Sequence, residues 1–371
     1  MSKTGTAIAE CSPTRIARKL ARIPCQTLSV STRVLLATAA FALPSAMNAG
    51  AETRLLINCF APPQHVMCRD ILPAWKDSVE KVTAKRVTIE FPAKSMAPPP
   101  AQWESVTKGV FDGALQFNGF IAKQVVGTRV AMSPFVAVSN AEAMSVALWR
   151  TYEKFMADKG EYNEVQLLGL FTAPGADFFS MTDTPITSTE SLKGRKMWAL
   201  PGVTSTLLKE VGTPVVSGPA VQMHEIIARG VVDGFVGIPT SDVVAFKLTA
   251  YVKSVTVTKR KIFAPTFSFF VSKEKWAKIS AEDQKAILSV SGEKFAALAG
   301  GAWRKIEEGA AAELKKAGIR FVDATPAFED ALVKASAAFN EGWIKEAGAK
   351  GIDGKAALEF YTRTLEQLAA R

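Results

Sequence analysis

Histidine is scarce in this 371-residue chain, with two residues, and tyrosine and cysteine number only four each. The histidines, His65 and His224, form no paired ligand motif, so no metal site is expected. Any Ser-His-Asp arrangement would have to use one of them, and neither stands in a supporting motif. A G-x-S-x-G elbow, a phosphate-binding loop and an H-E-x-x-H helix are missing as well. No catalytic residue and no cofactor are therefore assigned. No apolar run reaches the roughly 20 residues that span a bilayer, so the chain is not expected to be membrane-embedded. Basic residues are not gathered into aromatic-laced clusters, which excludes a nucleic-acid surface.

What is present begins with a leader. Lys3, Arg15, Arg18, Lys19, Arg22 and Arg33 face a single acid, Glu10, and the apolar run Val34–Leu43 follows. Pro44 and a small-residue stretch ending Ala49-Gly50-Ala51 complete the pattern of a secretory signal peptide over residues 1–51. Its removal takes six of the 45 basic and one of the 35 acidic residues, so the net charge falls from +10 to +5. The remaining charges alternate in sign, as in Lys305-Ile306-Glu307-Glu308, the mark of solvated helix faces. Cys11 and Cys25 leave with the leader. Cys59 and Cys68 remain, and they can either pair in an oxidising compartment or stay buried as free thiols.

The remainder alternates strand and helix. Arg54–Phe60 reads as a buried strand, the segment from Val66 to Val82 as a helix, and Val87–Phe91 as a second strand. A turn at Gly109–Gly113 leads into a strand ending at Phe117. Further strands are expected at Val165–Phe171, Phe178–Thr182, Lys196–Leu200, Val215-Val216 and Val231–Gly237, with helices between them. This grammar predicts an α/β fold with parallel sheets. Past Ser280 a long helical stretch runs to about Ala317, with a bend predicted at Gly300-Gly301. After a short strand at Ile319–Val322, two more helices reach the end.

At Leu192-Lys193-Gly194-Arg195-Lys196-Met197-Trp198 the chain resembles the extracytoplasmic binding proteins of TRAP transporters, the DctP-like family. The resemblance continues through Gly230-Val231-Val232-Asp233-Gly234, Val271-Ser272-Lys273-Glu274-Lys275-Trp276, Asp283–Ile287 and Ala317-Gly318-Ile319, and it includes the early turn Gly109–Gly113. It implies a two-lobed periplasmic-binding-protein fold with crossing hinge strands, a long lobe-spanning helix and a helical C-terminal wrap. The lobes would be 52–173 plus 263–302, and 174–262 plus 303–371. It also implies a periplasmic monomer that encloses a small organic solute, without enzyme activity, and passes it to TRAP membrane permease subunits. A sensor module presenting its ligand to a membrane receptor is the alternative, with an exported enzyme a distant third.

The family commonly places a carboxylate-binding arginine where this chain has Trp198. A register anchored on Pro201 puts Ala199 there instead. The family's usual asparagine falls near Gly237, an aromatic at Ala220 and a tyrosine at His224. Arg195 does not restore the clamp, because alternate strand positions face opposite ways. An aromatic wall of Trp198, Phe235 and Phe178 is therefore expected to replace it, suited to apolar, aromatic or cationic solutes. Gln64, Phe117, Asn118 and Gly237 complete the expected ligand contacts. His65 reads as a structural loop residue and Asp233 as turn chemistry.

Overall fold

The computed structural model describes residues 53–370, and the expected leader at 1–51 lies outside the described residues. Along the chain the strands are β1 (Thr53–Asn58), β2 (Val87–Glu90), β3 (Gly113–Phe117), β4 (Val165–Thr172), β5 (Phe178–Ser180) and β6 (Met197–Ala199). They continue as β7 (Val215–Ser217), β8 (Gly234–Val236), β9 (Ser254–Val257), β10 (Thr266–Ser272) and β11 (Arg320–Asp323). They form two sheets, ordered β2-β1-β3-β10-β4 and β11-β9-β5-β8-β6-β7.

Neither sheet is purely parallel. β10 runs antiparallel to β3 and β4, and β5 runs antiparallel to β8 and β9, while the other pairings are parallel. Both exceptions are the strands that come directly after a passage from one sheet to the other. The chain leaves the first sheet between β4 and β5, returns between β9 and β10, and leaves again for β11, which pairs parallel with β9. The antiparallel pairings depart from the expectation of parallel sheets.

Inside these strands the side chains are large and apolar, as sheets covered on both faces require. Phe269 of β10 meets Trp75 edge-on at 4.6 Å and Phe295 at 5.0 Å, and Phe179 stacks on Phe235 at 4.7 Å. The passage between sheets is marked by a buried ion pair. Lys261 Nζ lies 2.6 Å from both carboxylate oxygens of Asp177, so the two connecting segments are joined to each other. Burial raises the Asp177 carboxyl above its usual range despite this partner.

The helical stretch after Ser280 is two helices, Ala281–Ser289 and Glu293–Lys316, and it breaks at Gly292 rather than at Gly300-Gly301. The second helix runs unbroken through those glycines. A Cβ on Gly300 would stand 2.5 Å from the Ala141 carbonyl oxygen, so this glycine lets the helix approach Ala141–Phe155 closely. The helix packs on β4 and Ala141–Phe155, and it also touches Thr240–Ala245, which comes after β8. The long helix thus bridges the layers of both sheets. The last helices, Pro326–Ala349 and Gly354–Ala369, wrap back. Gly354–Ala369 lies on Ala141–Phe155, and Trp343 Nε1–H donates to the Val126 carbonyl at 2.9 Å. Helices that the sequence places with the second lobe therefore also touch the layer of the first sheet.

Candidate functional site

A partly open apolar pocket of about 40 Å³ lies beyond the carboxyl ends of strands from both sheets. Two residues past β1 comes Phe60, and Phe117 closes β3. From the second sheet, Leu200 comes just after β6, Pro219 to Val221 after β7 and Ile238 after β8. Strand ends are where open α/β sheets leave a crevice, because each strand there gives way to a turn that frees space above the sheet. Phe267 of β10 and Trp303 of the long helix fill the side between the two sheets, 5.6 Å apart between ring centres.

The wall is aromatic. Phe267 lies 5.7 Å from Phe117, 5.2 Å from Phe171 and 6.4 Å from Phe60, and Phe117 meets Phe120 edge-on at 5.1 Å. Among the described residues no lysine or arginine lines the cavity, and its charged or titratable lining residues are His65 and Asp242. His65 Nδ1 accepts from the Met67 backbone N–H at 3.3 Å. The proton therefore sits on Nε2, which donates to Asp242 Oδ1 at 3.0 Å. The imidazole also stacks against Phe246 and stands edge-on to Trp303.

Both partners of that bond are held from behind. Cys59 and Cys68 are joined in a disulfide, Cα atoms 5.8 Å apart, which resolves the alternative that the sequence leaves open. The segment it closes carries Phe60, Ala61, His65 and Met67, four residues of the lining. Asp242 sits in the short helix Thr240–Ala245, whose first N–H groups the long helix engages. Glu307 accepts from Thr240 N–H at 2.9 Å and Ser241 N–H at 2.7 Å, and Trp303 Nε1–H donates to Ser241 Oγ at 3.1 Å. Burial raises the Glu307 carboxyl above its ordinary value, although these hydrogen bonds oppose the shift.

Of the expected contacts, Phe117 lines the cavity. Trp198, Phe178 and Phe235 do not line it: all three are strand residues, wholly buried in the core. Trp198 lies opposite Val216 and Phe235 in the sheet, and Phe178 packs against Phe328. Asn118 is spent on structure, donating to Thr128 Oγ1 and Thr266 Oγ1 and accepting from Ser268 Oγ at 2.6 Å. Gln64 faces an outer groove, where it donates to the Ala245 carbonyl. Gly237 adjoins the lining residue Ile238 and has a φ of 107°, a conformation that favours glycine. Asp233 is turn chemistry: its carboxylate accepts from Lys196 N–H at 2.8 Å. Arg195 is turned to Ser180 and Thr184. His224 bonds the Phe246 carbonyl, outside the cavity, while Ala220 lines it. Asp242 and Trp303 gave no sequence signal beyond an ordinary helical pattern.

This geometry offers apolar contact but no nucleophile paired with a base. The family model for bacterial extracellular solute-binding protein family 7, DctP, matches residues 57–346. The chain belongs to the DctP family. A Comamonas testosteroni protein named outer membrane transporter protein TsaT is 40% identical over 320 residues, 86% of this chain and 94% of its own length. Among solved structures, a TRAP periplasmic solute-binding protein from Bordetella bronchiseptica, with bound (R)- and (S)-mandelate, matches at a TM-score of 0.81 and 28% identity. That match covers 85% of this chain and 99% of the other. A marine metagenome TRAP solute-binding protein crystallised with 3-hydroxybenzoate shares the fold at a TM-score of 0.77 and 24% identity, covering 85% and 98% of the two chains. The two-lobed α/β architecture is thus that of DctP solute-binding proteins, a family of extracytoplasmic binders and not of enzymes. No helix among the described residues is long and apolar enough to cross a membrane.

Proposed function

We propose that this DctP-family protein is the periplasmic receptor of a TRAP-type importer, and that it encloses a small aromatic solute between its lobes for delivery to the membrane permease. The observation that carries this reading is the cavity, walled by Phe60, Phe117, Phe120, Phe246, Phe267 and Trp303 and built from the strand ends of both sheets. Such a wall rewards a flat apolar ring through area burial and ring-edge contacts. The Bordetella bronchiseptica relative, with mandelate bound, supports the same class of solute.

In this reading each sheet is the core of one lobe, and the hinge runs through the segments joined by Asp177 and Lys261. Capture is hinge closure: strand ends of both lobes meet around the solute, and the closed form is what the permease accepts. Residues 1–51 act as the export signal, and the mature protein works as a monomer. The aromatic wall that the sequence assigns to Trp198 is supplied instead by residues at and beyond the strand ends.

The test is thermal melting of the purified mature chain against a panel of aromatic acids, aromatic amines and alcohols, and aliphatic acids. A solute at 100 times its Kd stabilises the folded form by about 2.7 kcal/mol, a rise of several degrees. Aromatic members are expected to give the rise, and Phe267→Ala or Trp303→Ala to abolish it. Hits confined to aliphatic acids, or hits indifferent to both substitutions, would remove the aromatic reading.

A further inference from the structure

The cavity's polar chemistry is confined to one place. His65 is committed on both ring nitrogens, accepting at Nδ1 and donating from Nε2, so it has no proton to offer a solute without releasing Asp242. Both oxygens of Glu307 are occupied by backbone N–H groups. Asp242 is different. Its Oδ1 takes the His65 proton, while Oδ2 has no hydrogen-bond partner among the described residues. The Asp242 side chain is 10% exposed and borders both the pocket and the outer groove. Among the described residues, Oδ2 is thus the one carboxylate acceptor bordering the pocket that is free to take a proton donor.

We propose that Asp242, positioned by His65, accepts a hydrogen bond from the solute, so that the cavity selects aromatic compounds bearing a hydroxyl or amino group over the same rings without one. This rests on the cavity being the solute site and adds its specificity. The ring occupies the phenylalanine wall, and the donor reaches Asp242 between the β1 loop and the helix Thr240–Ala245. His65 acts as a positioning residue: its Nε2–H fixes the carboxylate's orientation, and the disulfide-closed loop fixes His65. A site built around a buried acceptor discriminates strongly against a ligand that leaves that acceptor unpaired.

The experiment is titration calorimetry of the purified protein with matched pairs: mandelate against phenylacetate, 3-hydroxybenzoate against benzoate, and benzyl alcohol against toluene. The donor-bearing member is expected to bind at least about 10-fold more tightly, the size of a hydrogen bond to a charged group. Asp242→Ala should bring that ratio near one. Should that variant not fold, Asp242→Asn keeps the volume and should lower the ratio by removing the charge. His65→Gln retains a donor toward Asp242 and should preserve it. Equal affinities within pairs that do bind, or an unchanged ratio in the Asp242 variants, would overturn the inference and leave the aromatic reading standing. If no member of any pair binds, the cavity is not the aromatic site, and the inference falls with it.

Discussion

Breaking the Cys59–Cys68 bridge tests how far the binding wall depends on a covalent closure. The cysteines stand nine residues apart, so the bridge closes a loop of about ten residues in the unfolded chain. Chain-entropy arithmetic for that loop gives about 2.7 kcal/mol of stabilisation at 25 °C. For a folded body of about 320 residues the unfolding entropy near the melting point is roughly 0.67 kcal/mol per kelvin, so the melting temperature should fall by about 4 °C. The double substitution Cys59→Ser with Cys68→Ser should give the same fall without added reductant. Affinity should fall with it, because Phe60, Ala61, His65 and Met67 all lie within the closed segment and must then be ordered by the solute itself. The assay pairs calorimetric melting with solute titration, under oxidising and reducing conditions, with thiol content measured by mass. A reduced protein that melts within about 1 °C of the oxidised one and binds as tightly would refute the reasoning.

Three further outcomes are expected. Lys261→Met leaves the Asp177 carboxylate buried without its partner and should cost about 3–5 kcal/mol in urea unfolding; adding Asp177→Leu should recover most of it, and a single variant within about 1 kcal/mol of wild type would contradict the buried pairing. Burial raises the Glu307 carboxyl above its ordinary 4.5, so the folded chain holds this proton more tightly than the unfolded chain does. Its contribution therefore favours folding at low pH and is lost as the pH climbs from about 4.5 through the raised value. Glu307→Gln should flatten that fall, and identical pH slopes for the two proteins would count against it. Gly237→Ala places a Cβ 2.9 Å from Leu200 Cβ and Thr204 Oγ1 in a backbone conformation with φ of 107°. It should cost about 1–3 kcal/mol in the same unfolding assay and weaken solute binding by displacing Leu200, whereas a neutral effect on both would contradict the strained turn.

Strands and helices are largely legible because their cause is local. A run such as Arg54–Phe60 is apolar on both faces, and the proline-rich loop after it marks where it stops. The break at Gly292 escapes a local reading because Gly300-Gly301 looks like the weaker point of the helix. Its weakness is cancelled by a neighbour, Ala141, that no local pattern reveals. The site is less legible for a related reason. The resemblance points to the β6 strand, and Trp198 lies there as expected, but a cavity placed past strand ends is lined by the residues of the turns beyond. Phe117 is legible because it is a strand's last residue. Asp242, Phe246 and Trp303 meet His65 only after two sheets and a long helix are assembled. Whether Cys59 and Cys68 pair is undecidable from strand and helix assignments alone, since pairing depends on the turn between them.

His65 and Asp242 border the cavity on one side and an open groove on the other, the groove that also holds Gln64, Arg69, Ala245 and Lys305. The partition between inside and outside is there a single hydrogen-bonded pair. A solute that donates to Asp242, as proposed, would bond to a side chain that also lines the outer groove.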